Sequence, residues 1–240
     1  MIKIIILALI TGLTPAYAAK ITTAQNLKTE VIEVNSSMSS VEKRVRQAAV
    51  KVVSGHGHGS GGVIQYKDIQ LVITAAHVAN KGLGSPFLVQ TAYEEAVGVL
   101  VYRDPLHDIA LLYLPTQLKH TKGIKWNPHD ILTEVGTNIT YSGYPSWHSL
   151  MTYRGRVAGY ETDPLAGTQI MLDTYGWFGC SGSPIYSSKG QIIGVLWGVD
   201  VQQGQIQENM IWVAPIQNLN MKLALKPLCS GIPGTIKACQ

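Results

Sequence analysis

From Ala48 onward, short apolar and β-branched runs recur between clusters of Gly, Pro, Asn and Asp. Six of them, at 50–53, 62–66, 71–74, 87–91, 97–102 and 109–114, come first; six more follow at 138–142, 151–159, 168–174, 184–186, 192–197 and 209–213. Runs this short, with turn residues this close, predict antiparallel strands, and the helical stretches that a βαβ crossover needs do not lie between them. The expected fold class is all-β, as barrels or as a sandwich, and 240 residues is a length that such folds often use for one body. Two segments depart from the pattern. Ser39-Ser40-Val41-Glu42 reads as a capping box that opens a short helix through Glu42 to Gln47. Residues 215–225 begin with Pro and carry Ile216, Leu219 and Leu223 at helical spacing, which predicts one closing helix.

The amino-terminal residues follow a different logic. Lys3, the apolar run 4–10 extended to Leu13, and Ala16-Tyr17-Ala18 stand in the order of a charged, a hydrophobic and a cleavage region, so residues 1–18 are expected to be a secretory signal peptide. The run is well short of the ~20 residues that span a bilayer, and no later run is long enough, so no stable membrane association is expected after cleavage. Residues 19–45, polar and aperiodic for most of their length, read as an amino-terminal extension, 46–225 as the folded body and 226–240 as a tail. The expected location is secreted or periplasmic. In an oxidising compartment a cysteine pair persists, and Cys229 and Cys239, in the Gly- and Pro-rich tail, are expected to form a disulfide that ties it down. Cys180 is then left over.

Composition narrows the function classes. Charged residues are 14% of the chain and hydrophobic ones 46%, against roughly 25% charged in an average soluble protein. Disorder and coiled coil are excluded on that basis. The net charge of +4 is mild and scattered, so no nucleic-acid partner is expected.

Three strings carry candidate chemistry: Thr74-Ala75-Ala76-His77 at the end of an apolar strand, Asp108-Ile109-Ala110-Leu111-Leu112 with an acid just before one, and Gly179-Cys180-Ser181-Gly182-Ser183-Pro184, a tight turn around a hydroxyl. Each alone is ordinary. In the order His, Asp, Ser they resemble the chymotrypsin-like serine peptidases of the PA clan. The resemblance runs through most of residues 45–225 and includes Gly59 to Ile64, Gly143-Tyr144-Pro145, Val195-Leu196-Trp197-Gly198 and Ala214-Pro215-Ile216. It looks closest to the bacterial members, the staphylococcal glutamyl endopeptidases and, less closely, the HtrA-type proteases.

The resemblance implies a trypsin-like fold of two antiparallel six-stranded β-barrels with a carboxy-terminal helix, and a serine endopeptidase that acts on protein or peptide substrates without a cofactor. It implies Ser181 as nucleophile, His77 as general base, Asp108 as the partner of the imidazole, and the N–H groups of Gly179 and Ser181 as the oxyanion site. Two departures bear on regulation and specificity. Cys180 stands where trypsin-type zymogens have an Asp that pairs with a new amino terminus, so activation by such an insertion is not expected. Tyr175 stands where trypsin-like members carry the acid that selects Lys or Arg, and Leu196 where glutamyl endopeptidases have a His. Tyr175, Leu196, Trp197 and Gly198 are therefore expected to line a pocket for apolar or small side chains, with Trp177 and Phe178 either nearby or packed on the second barrel. His56-Gly57-His58 is read as a turn and not as a metal site, because no third ligand is spaced for it. Two alternatives stay open: a catalytically silent member that binds peptides in the same cleft, and a peptidase that cuts only its own extension or a partner.

Overall fold

The computed structural model describes residues 37–231, except 56 and 147, together with 237–239. The expected signal peptide and most of the expected amino-terminal extension lie outside the described residues. Within them the strand pattern is close to that expected. Strands β1 (Ala49–Ser54), β2 (Gly57–Tyr66), β3 (Ile69–Thr74), β4 (Pro86–Gln90), β5 (Glu95–Asp104) and β6 (Ile109–Tyr113) pair in the order β1-β4-β5-β6-β3-β2, and β1 pairs back onto β2 to close a barrel. A two-residue strand, β7 (Ile124–Lys125), adds to β2 in parallel. Strands β8 (Asn138–Gly143), β9 (Met151–Asp163), β10 (Gly167–Asp173), β11 (Pro184–Ser187), β12 (Ile192–Gln202) and β13 (Gln205–Pro215) close a second barrel in the order β10-β13-β12-β11-β8-β9.

Side-chain alternation explains why several strands are apolar on both faces. In β3, Val72 points into the first barrel with Val50, Val63 and Leu112, while Leu71 and Ile73 point outward into a cluster that also holds Ile192, Val195 and Ala214 of the second barrel. Burying each such side chain stabilises the fold by roughly 1.5–3 kcal/mol, so the contact between the barrels is itself a core. The second barrel's interior is filled by Tyr141, Val157, Ile170, Leu172, Ile185 and Val213.

Helix α1 (Ser40–Ala48) carries the expected capping box: Glu42 N–H donates to Ser39 Oγ at 3.2 Å and Ser39 N–H to Glu42 Oε2 at 2.6 Å. Glu42 also accepts from the Nε and Nη2 groups of Arg154 on β9, and Arg46 donates to the Leu150 carbonyl at 2.8 Å. Val45 enters the core between the barrels. The compact unit begins at Ser37, so residues 40–45, the end of the expected extension, pack within it.

The single closing helix expected over 215–225 is instead broken. A 3-10 turn (Ile216–Asn218) is followed by α2 (Met221–Ala224) and α3 (Lys226–Gly231). Leu219 and Asn220 have extended backbones, with ψ of 106° and 101°, and the Asn220 side chain accepts the Leu223 N–H at 3.1 Å, capping a new helix where the old one would have continued. Pro227 sits in the first turn of α3, where its missing N–H does no harm. Cys229 and Cys239 are joined in a disulfide, and the N–H groups of Lys237 and Ala238 donate to Asp68 at 2.9 and 2.8 Å, fastening the tail to the β2–β3 turn.

Candidate active site

Strand register brings His77 and Asp108 together. Thr74 of β3 pairs with Ala110 of β6, so the turn after β3 and the residue before β6 emerge side by side. Asp108 uses both carboxylate oxygens on His77: Oδ2 lies 2.6 Å from Nδ1 and Oδ1 accepts the backbone N–H at 2.8 Å. An ionised carboxylate only accepts, so Nδ1 carries the proton and Nε2 is left as an acceptor. Asp108 has φ of +54°, in the left-handed region, a conformation that costs of order 1–3 kcal/mol and is held here by these two bonds. The His77 side chain is 50% exposed. The adjacent His107–Asp104 pair, also at 2.6 Å, closes its own turn with two further bonds to Asp104 from backbone N–H groups, and has a structural role.

The loop 175–183 between β10 and β11 has all its central carbonyls engaged. Phe178 O accepts Ser146 N–H at 2.6 Å, Gly179 O accepts the Ser60 hydroxyl at 2.6 Å, Cys180 O accepts Ser183 N–H at 3.0 Å, and Ser181 O accepts Ser60 N–H at 2.7 Å. With those carbonyls turned inward, the N–H groups of Gly179 and Ser181 have no acceptor among the described residues. Gly179 and Gly182 have φ of +94° and +93°, values that side chains rarely adopt. A Cβ at Gly182 would also collide with Ser60 O and Thr74 Oγ1, so the loop presses directly on the strand end that leads to His77. The Ser181 hydroxyl donates to the Trp197 carbonyl at 3.4 Å; among the described residues no hydrogen bond joins it to His77.

A cavity of about 550 Å³ opens beside His77 and Asp108, walled by Leu106, Glu161, Trp197 and Trp212. Trp197 stacks on Trp212 with ring centres 6.1 Å apart, and its indole N–H donates to Gln169 Oε1 at 3.0 Å, which fixes the ring.

The expected pocket residues are placed unevenly. Trp197 lines the cavity, and a Cβ at Gly198 would meet open space. Leu196 is 1% exposed in the second barrel's core; its side chain offers no surface, but its N–H and carbonyl tie down Ser183 and Gly182. Tyr175 lies outside the cavity wall, its ring 5.3 Å from that of Tyr153 and its carbonyl accepting from the Tyr141 hydroxyl. Ile211 packs against Gly176, where a β-carbon would lie 2.5 Å from its Cδ1. Trp177 and Phe178 meet edge to face at 5.6 Å, with Phe178 62% exposed.

Cys180 is buried among apolar side chains and burial pushes its thiol up, away from the thiolate. His58 donates from Nε2 to the Tyr144 carbonyl at 3.1 Å, and burial lowers its pKa. His56 lies outside the described residues, and among them no three His, Cys, Asp or Glu side chains gather as a metal site. Ser60, Gln169 and Trp212 were assigned no role from the sequence. Ser60 sits in the Gly59 to Ile64 stretch, which carried part of the family resemblance but gave no sign of a hydroxyl contact more than 100 residues away in sequence.

Comparison with known proteins agrees with this fold. Residues 59–195 match the family described as trypsin-like peptidase domain. Pro-apoptotic serine protease NMA111 of Scheffersomyces stipitis is 27% identical over 139 residues, which are 53% of this chain and 14% of that protein. The protein of that name from Meyerozyma guilliermondii is 27% identical over 138 residues, again 14% of its length, so the chain spans a small part of these relatives. Two crystal structures of Rv3671c from Mycobacterium tuberculosis, a Ser343Ala mutant and the protease, both described as inactive forms, superpose with a TM-score of 0.59 at 21% identity; they cover 73% of this chain, which covers 84% and 87% of them. The match spans more than half of the sequence and takes in His77, Asp108 and Ser181 alike, and the chain belongs to the trypsin-like peptidase domain family.

Proposed function

We propose that the protein is an exported serine endopeptidase that cleaves peptide bonds through Ser181, His77 and Asp108. The observation that carries this reading is the His77–Asp108 pair: both carboxylate oxygens are engaged, Nε2 is left as an acceptor, and the Ser181 loop presses on the strand end that leads to His77. The reading requires the Ser181 hydroxyl to leave its long bond to the Trp197 carbonyl and turn to the imidazole before attack. As Oγ attacks the scissile carbonyl, Nε2 takes its proton, and the imidazolium is stabilised by Asp108. The carbonyl oxygen, now negative, is held by the N–H groups of Gly179 and Ser181, each worth about 10²–10³ in kcat in comparable sites. The imidazolium then protonates the leaving amine, the acyl-enzyme forms, and water activated by Nε2 hydrolyses it.

The specificity reading is a pocket for apolar or small side chains. Its support is the Trp197 ring in the cavity wall, fixed by Gln169 and stacked on Trp212, with open space beside Gly198. The test is labelling of the purified protein with a fluorophosphonate, adduct mapping by mass spectrometry, and a peptide-library cleavage profile. Label on Ser181, casein hydrolysis abolished by Ser181→Ala, and cleavage after apolar residues are expected. An unlabelled, inactive protein supports instead a silent peptide-binding member, and cleavage confined to residues 19–45 supports a self-processing one.

A further inference from the structure

Ser60 lies on β2 of the first barrel, yet two of its groups make three hydrogen bonds to loops of the second. Its N–H donates to Ser181 O at 2.7 Å, its hydroxyl donates to Gly179 O at 2.6 Å, and the same oxygen accepts Tyr144 N–H at 2.8 Å. A carbonyl only accepts and a backbone N–H only donates, so the direction of every bond is determined and the single hydroxyl proton is committed to Gly179. Its own carbonyl is tied to Thr74 Oγ1 at 2.7 Å, which keeps the residue from turning. Ser60 is fully buried, so no water competes for these groups.

Resting on the peptidase reading above, we infer that Ser60 is a positioning residue for the oxyanion site, holding the loop so that the N–H groups of Gly179 and Ser181 face the substrate. The peptide between residues 179 and 180 is held through its carbonyl by the hydroxyl, and the one after Ser181 by the Ser60 N–H. The N–H of Ser181, lying between two carbonyls held on one side, is left facing the other. The Gly179 N–H belongs to the peptide whose carbonyl, Phe178 O, is held by Ser146, and the Tyr144 to Ser146 segment that supplies that donor is itself anchored by the Ser60 hydroxyl through Tyr144 N–H. One hydroxyl therefore steadies both donors. Removing it takes from the Gly179 carbonyl and the Tyr144 N–H the bonds that Ser60 gives them, and rotation of either loop is the way to replace those bonds.

The test is Ser60→Ala, compared with wild type by active-site titration with a fluorophosphonate, steady-state kinetics on a good peptide substrate, inhibition by a peptide boronic acid, and thermal melting. Full removal of one oxyanion donor lowers kcat by about 10²–10³. A donor that is present but misdirected loses part of that, so kcat per titrated site is expected to fall about ten- to a hundredfold with KM within about threefold. Boronate affinity should fall in parallel with kcat, because the tetrahedral adduct uses the same donors. A lowered melting temperature with unchanged kcat per site and unchanged boronate affinity overturns the inference, since that is what a purely structural role produces. If Ser60→Ala does not fold, a wild-type crystal structure of the boronate adduct decides: the Ser60 to Gly179 bond must persist while both N–H groups contact the adduct, and a hole formed with Ser60 turned away overturns it. Wild-type protein that neither labels nor cleaves overturns the peptidase reading and this inference together, whereas active wild type with an equally active Ser60→Ala overturns this inference alone.

Discussion

Replacing Asp108 by Asn separates the electrostatic role of the carboxylate from its role in the fold. The carboxylate accepts two N–H groups of His77, from the backbone and from Nδ1. An amide in the same place offers one oxygen and one NH₂. If the oxygen keeps the backbone N–H, the NH₂ faces Nδ1, which must then become the acceptor; the ring proton moves to Nε2, and the base that should receive the Ser181 proton is already occupied. The backbone should tolerate the change, because Asn is among the few residues that adopt positive φ readily and Asp108 sits at +54°. The expected result is a loss of about 10⁴ in kcat, about 5.5 kcal/mol of transition-state stabilisation. Folding stability should fall by only about 1–2 kcal/mol, from one weakened charge-assisted bond. Asp108→Ala should lose activity to a similar degree but should also be less stable than Asp108→Asn, since it removes both acceptors and places a poorer residue in the left-handed region. Kinetics on titrated enzyme and urea unfolding measure the two quantities. A variant that keeps a tenth or more of wild-type kcat would refute the tautomer argument, and one that fails to fold would refute the claim that the backbone tolerates the exchange.

Three further outcomes follow from other contacts. The Arg154 hydrogen bonds hold Glu42 at about 2, against burial that pushes the other way, from an ordinary value of 4.5. The stability gap between wild type and Glu42→Gln, about 1–3 kcal/mol, should be constant above the ordinary value and disappear as pH falls through the folded one; a gap that grows on acidification contradicts the pairing. Cys180, buried with its thiol pushed up, should resist iodoacetamide in the native state and react at once in urea, with alkylation of the folded protein counting against the burial argument. Gly182→Ala should lose at least about 2 kcal/mol of stability along with activity, because it combines a positive φ with a collision against Ser60 and Thr74; an unchanged urea midpoint would mean that the loop can shift without penalty.

Much of the scaffold was legible because alternation and punctuation are local properties. All twelve expected runs lie on strands, and the capping box at Ser39 begins the helix it predicts. The closing helix failed for an equally local reason: Asn220 offers its side chain to the backbone, and the apolar spacing of Leu219 and Leu223 could not reveal that competition. Strand β7 was missed because two residues carry no period. At the site, the order of His77, Asp108 and Ser181 was readable, while the direction of the Ser181 hydroxyl was not, because it depends on the Trp197 carbonyl. The burial of Leu196 and the contacts of Ser60 depend on pairing between distant strands, which no spacing along the chain encodes.

The two ends of the compact unit act as opposed straps. Helix α1 grips the second barrel through Glu42 and Arg46 and then feeds straight into the first, while the chain that leaves the second barrel at β13 returns to be fastened on the first through Asp68 and the Cys229–Cys239 loop. Swinging either half away would undo a strap anchored on the other, so the straps oppose any opening between them. On the peptidase reading proposed above, a substrate would adapt to the groove between the barrels, because among the described residues both ends of the unit brace the barrels that wall it.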